Sequence, residues 1–210
     1  MVRCDISISL DGYTAGPNQS VQNPLGERGM RLHEWAFPLE IWRTLNGMEG
    51  GDVNASTGVV EESMANLGAT IMGRNMFGGG NGPWGDDPWP GWWGEDPPYH
   101  HPVFVLTHHP REPLTLSDTT FTFVTDGIES ALGQARDAAG DKDIAVPGGA
   151  EVIQQYLAAR LLDEFELHVL PLILGGGERL LDNIGHHLKL EQLRAIEAPG
   201  VTHLKYRVVK

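Results

Sequence analysis

The stretch from Asp143 to Leu174, DIAVPGGAEVIQQYLAARLLDEFELHVLPLIL, decides the fold. Ile144–Val146 is a short apolar run of the kind a buried strand needs. Pro147, Gly148 and Gly149 break it. From Ala150 to Arg160, Val152, Ile153, Tyr156 and Leu157 recur at helical spacing and share one face. Phe165–Leu174 is a second apolar strand. The unit is therefore strand, glycine turn, helix, strand. Two glycines ahead of a helix let the backbone come close to a ligand, and the first-turn amides point outward. A phosphate fits there, and so does a plain tight turn. The G-x-G-x-x-G dinucleotide spacing is absent, so the unit alone leaves both readings open.

The totals bound the function classes. The chain has 210 residues, 20% charged and 40% hydrophobic, a globular composition. A net charge of −13 argues against a nucleic-acid partner, which requires a basic face. The single cysteine, Cys4, excludes an internal disulfide and sits in an apolar run, so a buried structural thiol is expected. Met1–Leu10 carries Arg3 and Asp5 and lacks the apolar core of a secretory leader. No apolar run is long enough to span a bilayer. A cytoplasmic protein with no membrane partner is the expectation.

Outward from the central unit, Val2–Leu10 reads as the first strand, ending at the Asp11-Gly12 turn. Asn18–Met30 is a loop, and Leu32–Leu45 an amphipathic helix interrupted near Pro38. Ser56 or Thr57 is placed to cap a helix from Gly58 to Asn66, with Glu61 and Glu62 on its solvated side. Ala69–Met72 is a strand running into Gly73-Arg74-Asn75. The glycine allows close approach and the guanidinium can grip a phosphate with two bonds; pairing with a surface carboxylate is the alternative. Residues 78–101 hold Trp84, Trp89, Trp92, Trp93 and Tyr99 among prolines, glycines and acids. Such a loop closes over a planar ligand, buries a subunit contact or packs on itself.

Val103–Thr107 and Phe121–Val124 are strands. Asp126 is placed to cap a helix from Gly127 to Ala139, with Glu129 completing a capping box. His187–Leu193 and Val201–Val209 form a closing hairpin across Pro199-Gly200. The pairs His100-His101, His108-His109 and His186-His187 are adjacent, which on a strand turns their rings to opposite faces, so no metal site is expected.

Four segments, in order, resemble the dihydrofolate reductase-like family. They are Ser9-Leu10-Asp11-Gly12, Ile71 to Phe77, Val103 to Thr107, and Gly148-Gly149-Ala150-Glu151 through to Gly177. The closer likeness is to the branch of the riboflavin-biosynthesis reductase domain and stand-alone bacterial proteins of that family. The resemblance implies a three-layer α/β/α fold whose mixed, mainly parallel sheet ends in a C-terminal antiparallel hairpin. It also implies NADPH bound across the strand ends. Gly73, Arg74 and Asn75 would approach the cofactor phosphates. Thr107, His108 and Arg111 would meet the adenosine ribose and its extra phosphate. Gly148, Gly149, Ala150, Glu151 and Val152 would hold the pyrophosphate, and Ala15 and Gly16 would lie near the nicotinamide. The helix carboxylate that dihydrofolate reductases turn toward their substrate would fall near Thr57, where no acid stands, so folate reduction is not implied. The H-x-E and P-C-x-x-C signatures of the fused zinc deaminase are absent.

The expectation is one domain over residues 1–210, with the aromatic segment as an insertion. It transfers hydride from NADPH to a small, heterocyclic substrate, with Asp11 as a polar substrate contact or proton relay and a homodimer as the assembly. A non-catalytic nucleotide- or flavin-binding module on the same fold is the alternative.

Overall fold

β1 (Val2–Ser9) lies at the middle of the main sheet, parallel to β7 (Asp143–Gly148) on one side and to β8 (Glu164–Leu170) on the other. Beyond β7 come the parallel strands β3 (Leu67–Gly73), β4 (Val103–Leu106) and β6 (Thr119–Val124), then antiparallel β5 (Leu114–Leu116) at the edge. Beyond β8 come β11 (Val201–Val209) and β10 (Lys189–Ala198), an antiparallel hairpin. The nine strands run in the order β10-β11-β8-β1-β7-β3-β4-β6-β5. β2 (Tyr13–Ala15) and β9 (Glu178–Arg179) pair separately. The computed structural model describes residues 1–80, 82–185 and 187–210. The expected three-layer α/β/α architecture, with its mainly parallel sheet and C-terminal hairpin, is what forms.

Helices cover one face of the sheet. α4 (Ile128–Ala139) and α5 (Ala150–Ala158) bury Leu132, Ala135, Ile153, Tyr156 and Leu157 against Ile8, Ile71, Val124 and Val146. Tyr156 is fully buried, and its hydroxyl donates to the carbonyl of Ile128 at 2.8 Å, tying the two helices together. Cutting Leu157 to alanine in this layer would cost about 2–5 kcal/mol.

The opposite face is divided. Over β8, β10 and β11 lies α2 (Ala55–Met64), and the layer between is polar. Arg3 donates to the carbonyls of Ser63 and Ala65, and Arg194 bonds the buried Glu166 at 2.8 Å. His203 and His168 share a 2.8 Å contact between their Nδ1 atoms, with Ser56 Oγ 2.9 Å from His203 Nε2. Burial keeps both rings neutral, pulling His168 down to about 3 and His203 to about 4. Over β3, β4 and β6 lie the insertion aromatics, where Trp84, Trp89, Trp93 and Tyr99 pack on Phe77, Phe121 and Phe123.

Several local expectations are corrected. Leu32–Leu45 is not one helix: a 3-10 turn spans Gly29–His33, and α1 is only Glu40–Leu45. Trp35, between them, turns inward to donate to Ser7 Oγ at 3.0 Å. α2 begins earlier than expected because Asn54 is its cap, accepting from the Ser56 amide while Thr57 Oγ1 accepts from the Asn54 amide. Asp126 caps nothing: α4 opens at Gly127 without a side-chain bond, and Asp126 accepts from the Thr125 hydroxyl instead. β8 stops at Leu170, since Pro171 has no amide to continue a central ladder. The closing hairpin starts at Lys189, not His187, and His186 lies outside the described residues. Cys4 is buried, as expected, and burial followed by the Asp5 charge pushes its thiol well up.

Candidate functional site

The carboxyl ends of β1, β7, β3 and β4 gather most of the residues singled out in the sequence. Gly148 closes β7 at φ 151°, a conformation open essentially to glycine alone, and its peptide bond to Gly149 is cis. Gly149 then opens α5 at φ −71°, with no side-chain cap, so the Ala150, Glu151 and Val152 amides keep outward-facing hydrogens. A Cβ built on Gly149 meets nothing within 4 Å, so this turn faces open space. β3 comes up beside it. Met72 pairs with Gly148, and a Cβ on Gly73 would lie 2.8 Å from Val152 Cγ2 and 3.4 Å from the Gly149 nitrogen. Gly73 is therefore a close-packing glycine that brings β3 against the first turn of α5.

Arg74 opens α3 (Arg74–Phe77) and is 8% exposed. Nε donates to the Gly80 carbonyl at 2.7 Å and Nη2 to that of Gly79 at 3.1 Å, while Nη1 is buried without a partner. Its guanidinium lies on the Trp84 ring, 2.9 Å from the centroid, and Arg111 lies 4.7 Å from the same ring. Arg111 Nη1 donates to the Trp89 carbonyl at 2.6 Å. No carboxylate forms a salt bridge with either arginine among the described residues. Burial, then the neighbouring Arg111 charge, lowers Arg74 to about 10. The surface carboxylate offered as an alternative partner for Arg74 is not there; backbone carbonyls of the insertion hold it instead. Thr107 is buried at the end of β4 and accepts from the His109 amide at 3.2 Å. His108 and Asn75 are exposed at the same edge.

Asp11 serves as an anchor. Oδ1 accepts from Ser9 Oγ at 2.6 Å and from the Leu174 amide at 3.1 Å; Oδ2 accepts from the Gly175 amide at 2.7 Å. Burial opposes ionisation, but these donors outweigh it and hold the carboxyl down at about 2. A carboxylate so placed pins the loop after β8. Ala15 is buried in β2, and Gly16 is required because a Cβ there would strike the Glu27 carbonyl at 1.9 Å. Beside them, Tyr13, Gly177 and Arg179 face Glu151 and Gln154 of α5 across an open cleft. Asp96, His100 and Asp118 could together hold a metal ion, but all three are exposed and stand away from these strand ends on the insertion and the β5–β6 turn.

One group escaped the sequence reading. Asp5 lies on the α2 side of β1, and Ala145 and Pro147 lie beside it on β7. All three are partly exposed although their strands are central, so the cover over this part of the sheet is thin, though Asp5 itself lies deep enough to be largely desolvated. Burial, then the charge of Glu166 in register with it on β8, pushes Asp5 up to about 6, against the pull of Arg3 and Lys205. An alternating strand pattern carries no mark of such thin cover.

The strand order and the C-terminal hairpin match dihydrofolate reductase-like topology. The profile of the RibD C-terminal domain matches residues 1–203, and the chain belongs to that family. Among curated relatives, it is similar to the uncharacterized protein YyaP of Bacillus subtilis (strain 168), 26% identical over 118 residues, 53% of this chain and 62% of that one. The uncharacterized protein YwjB of the same organism is 28% identical over 78 residues, 37% of this chain and 44% of that one. These matches thus span less than two thirds of either relative.

Solved structures agree on the fold. A Shewanella sp. PV-4 protein provisionally assigned to riboflavin biosynthesis superposes with a TM-score of 0.64 at 21% identity, covering 100% of this chain and 99% of that one. The diaminohydroxyphosphoribosylaminopyrimidine deaminase/5-amino-6-(5-phosphoribosylamino)uracil reductase of Thermotoga maritima gives 0.59 at 15% identity, covering 99% of this chain and 56% of that one. Dihydrofolate reductase from Enterococcus faecalis, complexed with NADP(H), gives 0.54 at 13% identity, covering 100% and 97%. Among the described residues no helix is long and apolar enough to cross a membrane.

Proposed function

We propose that the chain is an NADPH-dependent reductase acting on a small nitrogen heterocycle, pterin- or pyrimidine-like, as one 210-residue unit that pairs into a homodimer. The observation that carries the reading is the uncapped start of α5 at Gly149, open to solvent and packed against Gly73, which Arg74 follows in the chain. Outward amides with partial positive charge suit a pyrophosphate. The buried, unpartnered Nη1 of Arg74 suits a further phosphate oxygen. NADPH, when bound, supplies the hydride; the chain orients it and keeps the site dry. The substrate lies over the thinly covered part of β1 and β7, where the Asp5 carboxyl meets its N–H edge.

Structures of relatives that carry a reductase name, one of them complexed with NADP(H), support the same reading. Titration with NADPH and NADH by fluorescence tests it. NADPH should bind more tightly and be consumed in the presence of an acceptor. Equal affinities would remove the role of the arginines, and binding without turnover on any pterin or pyrimidine would leave a non-catalytic module.

A further inference from the structure

The Arg74–Arg111 pair poses an electrostatic problem that the chain solves in an unusual way. The net charge is −13, yet neither guanidinium meets a carboxylate among the described residues. Among the described residues their hydrogen-bond acceptors all come from the insertion, while the Phe123 ring of β6 also lies 4.8 Å from Arg111. Gly79 and Gly80 give carbonyls to Arg74, Trp89 gives one to Arg111, and the Trp84 indole lies against both. Carbonyl oxygens and a ring face are what a chain can offer in place of a phosphate and a stacked base.

The substitution is incomplete, since Arg74 Nη1 stays buried with no acceptor. The insertion is also held by separable contacts. Trp84, Trp89 and Trp92 donate single bonds to the carbonyls of His109, Phe77 and Met76. Its backbone turns on Gly78, Gly79, Gly80 and Gly85, all at positive φ.

We infer that Trp84 and the Gly79–Gly80 carbonyls are a resident occupant of the anion seat, and that a phosphate-bearing nucleotide enters by displacing them. This rests on the reductase reading and adds that the cofactor's adenosine end competes with the chain's own insertion. A guanidinium bond to a carbonyl is charge-assisted from the donor side alone, whereas a phosphate oxygen brings a negative charge of its own and can take two parallel bonds, so phosphate is the stronger acceptor. Exchange is therefore favourable, but the closed state lowers apparent affinity by the fraction of molecules that are open.

The probe is 2′,5′-ADP, which carries the adenosine phosphates without the nicotinamide, and reduced nicotinamide mononucleotide is the control lacking them. Calorimetry on the full chain should show Trp84→Ala binding 2′,5′-ADP tighter than the parent by about fivefold or more, with the mononucleotide unchanged. Parent tryptophan fluorescence should shift on adding 2′,5′-ADP. Should the alanine variant melt early, Trp84→Leu fills the wedge against Phe77 and Phe123 without stacking and should move affinity in the same direction. Weaker or equal binding by both variants would make Trp84 a fixed platform and overturn the inference, while NADPH binding by the parent would leave the reductase reading standing. Tighter 2′,5′-ADP binding by the variants with no NADPH binding to any form would do the reverse. No binding of either probe to any form would remove both.

Discussion

A Cβ placed on Gly73 would lie 2.8 Å from Cγ2 of Val152. With the Gly149 nitrogen 3.4 Å away, this contact packs the end of β3 closely against the first turn of α5. Gly73 has an ordinary backbone, φ −82°, so an alanine is refused for want of space alone. Gly73→Ala should lower stability by roughly 1–3 kcal/mol, the cost of overpacking a well-filled contact. Val152→Ala should restore most of it. Thermal melts of the two single variants and the double variant measure the coupling.

Asp5 predicts a pH effect with a definite sign. Its carboxyl sits at about 6 in the folded chain against an ordinary 3.8, so the fold favours the protonated form. The stability this gives is fully present below about pH 4 and is lost as pH rises through 6. Asp5→Asn should therefore match the parent near pH 4 and become more stable above 6, by at most about 3 kcal/mol. Denaturant melts across pH 4–8 check the divergence. Glu166, Glu62, Arg3 and Lys205 all face the same group, so the curve reports the cluster.

Dihydrofolate should be reduced poorly or not at all. Thr57 uses its hydroxyl to complete the α2 cap and brings no carboxylate to the substrate side. The carboxylate that the proposed reading turns to the substrate, Asp5, stands on β1 and not on a helix. Steady-state assays with NADPH and dihydrofolate should stay near background. Robust, methotrexate-sensitive turnover would show that Asp5 or another group replaces the helix acid.

Much of this was legible in the chain because it is local. The Ile144–Val146 strand, the glycine break and the Val152, Ile153, Tyr156, Leu157 face fixed β7 and α5 through period and punctuation, and the order of the segments placed the parallel strands around them. The helix opening at Asn54 was missed because Asn54, Ser56 and Thr57 are all capping residues, and only the bond pattern separates them. Leu32–Leu45 had helical periodicity, but Trp35 gained more from burial against His168 and His203 than from continuing a helix.

At the candidate site, the position of Gly73, Arg74, Gly148 and Gly149 at strand ends was legible from the strand and glycine pattern. Two features were not. The thin cover over Asp5 depends on where α2 and the insertion stop. The contact of Trp84 with Arg74 joins a segment without periodicity to a strand end, and no spacing rule encodes it.

The central claim is that the Gly149 turn seats a cofactor phosphate, and Gly149→Val tests it most directly. At φ −71° and ψ −176° the backbone accepts any residue, and a Cβ there meets no atom within 4 Å, so the fold should tolerate the change, which a melt of the apo protein checks. Valine would instead occupy the space above the free amides of α5. The account predicts that NADPH affinity, measured by fluorescence titration, falls about tenfold or more, a loss of about 1.4 kcal/mol. A variant that binds NADPH as tightly as the parent would contradict it and leave Gly148–Gly149 a structural corner.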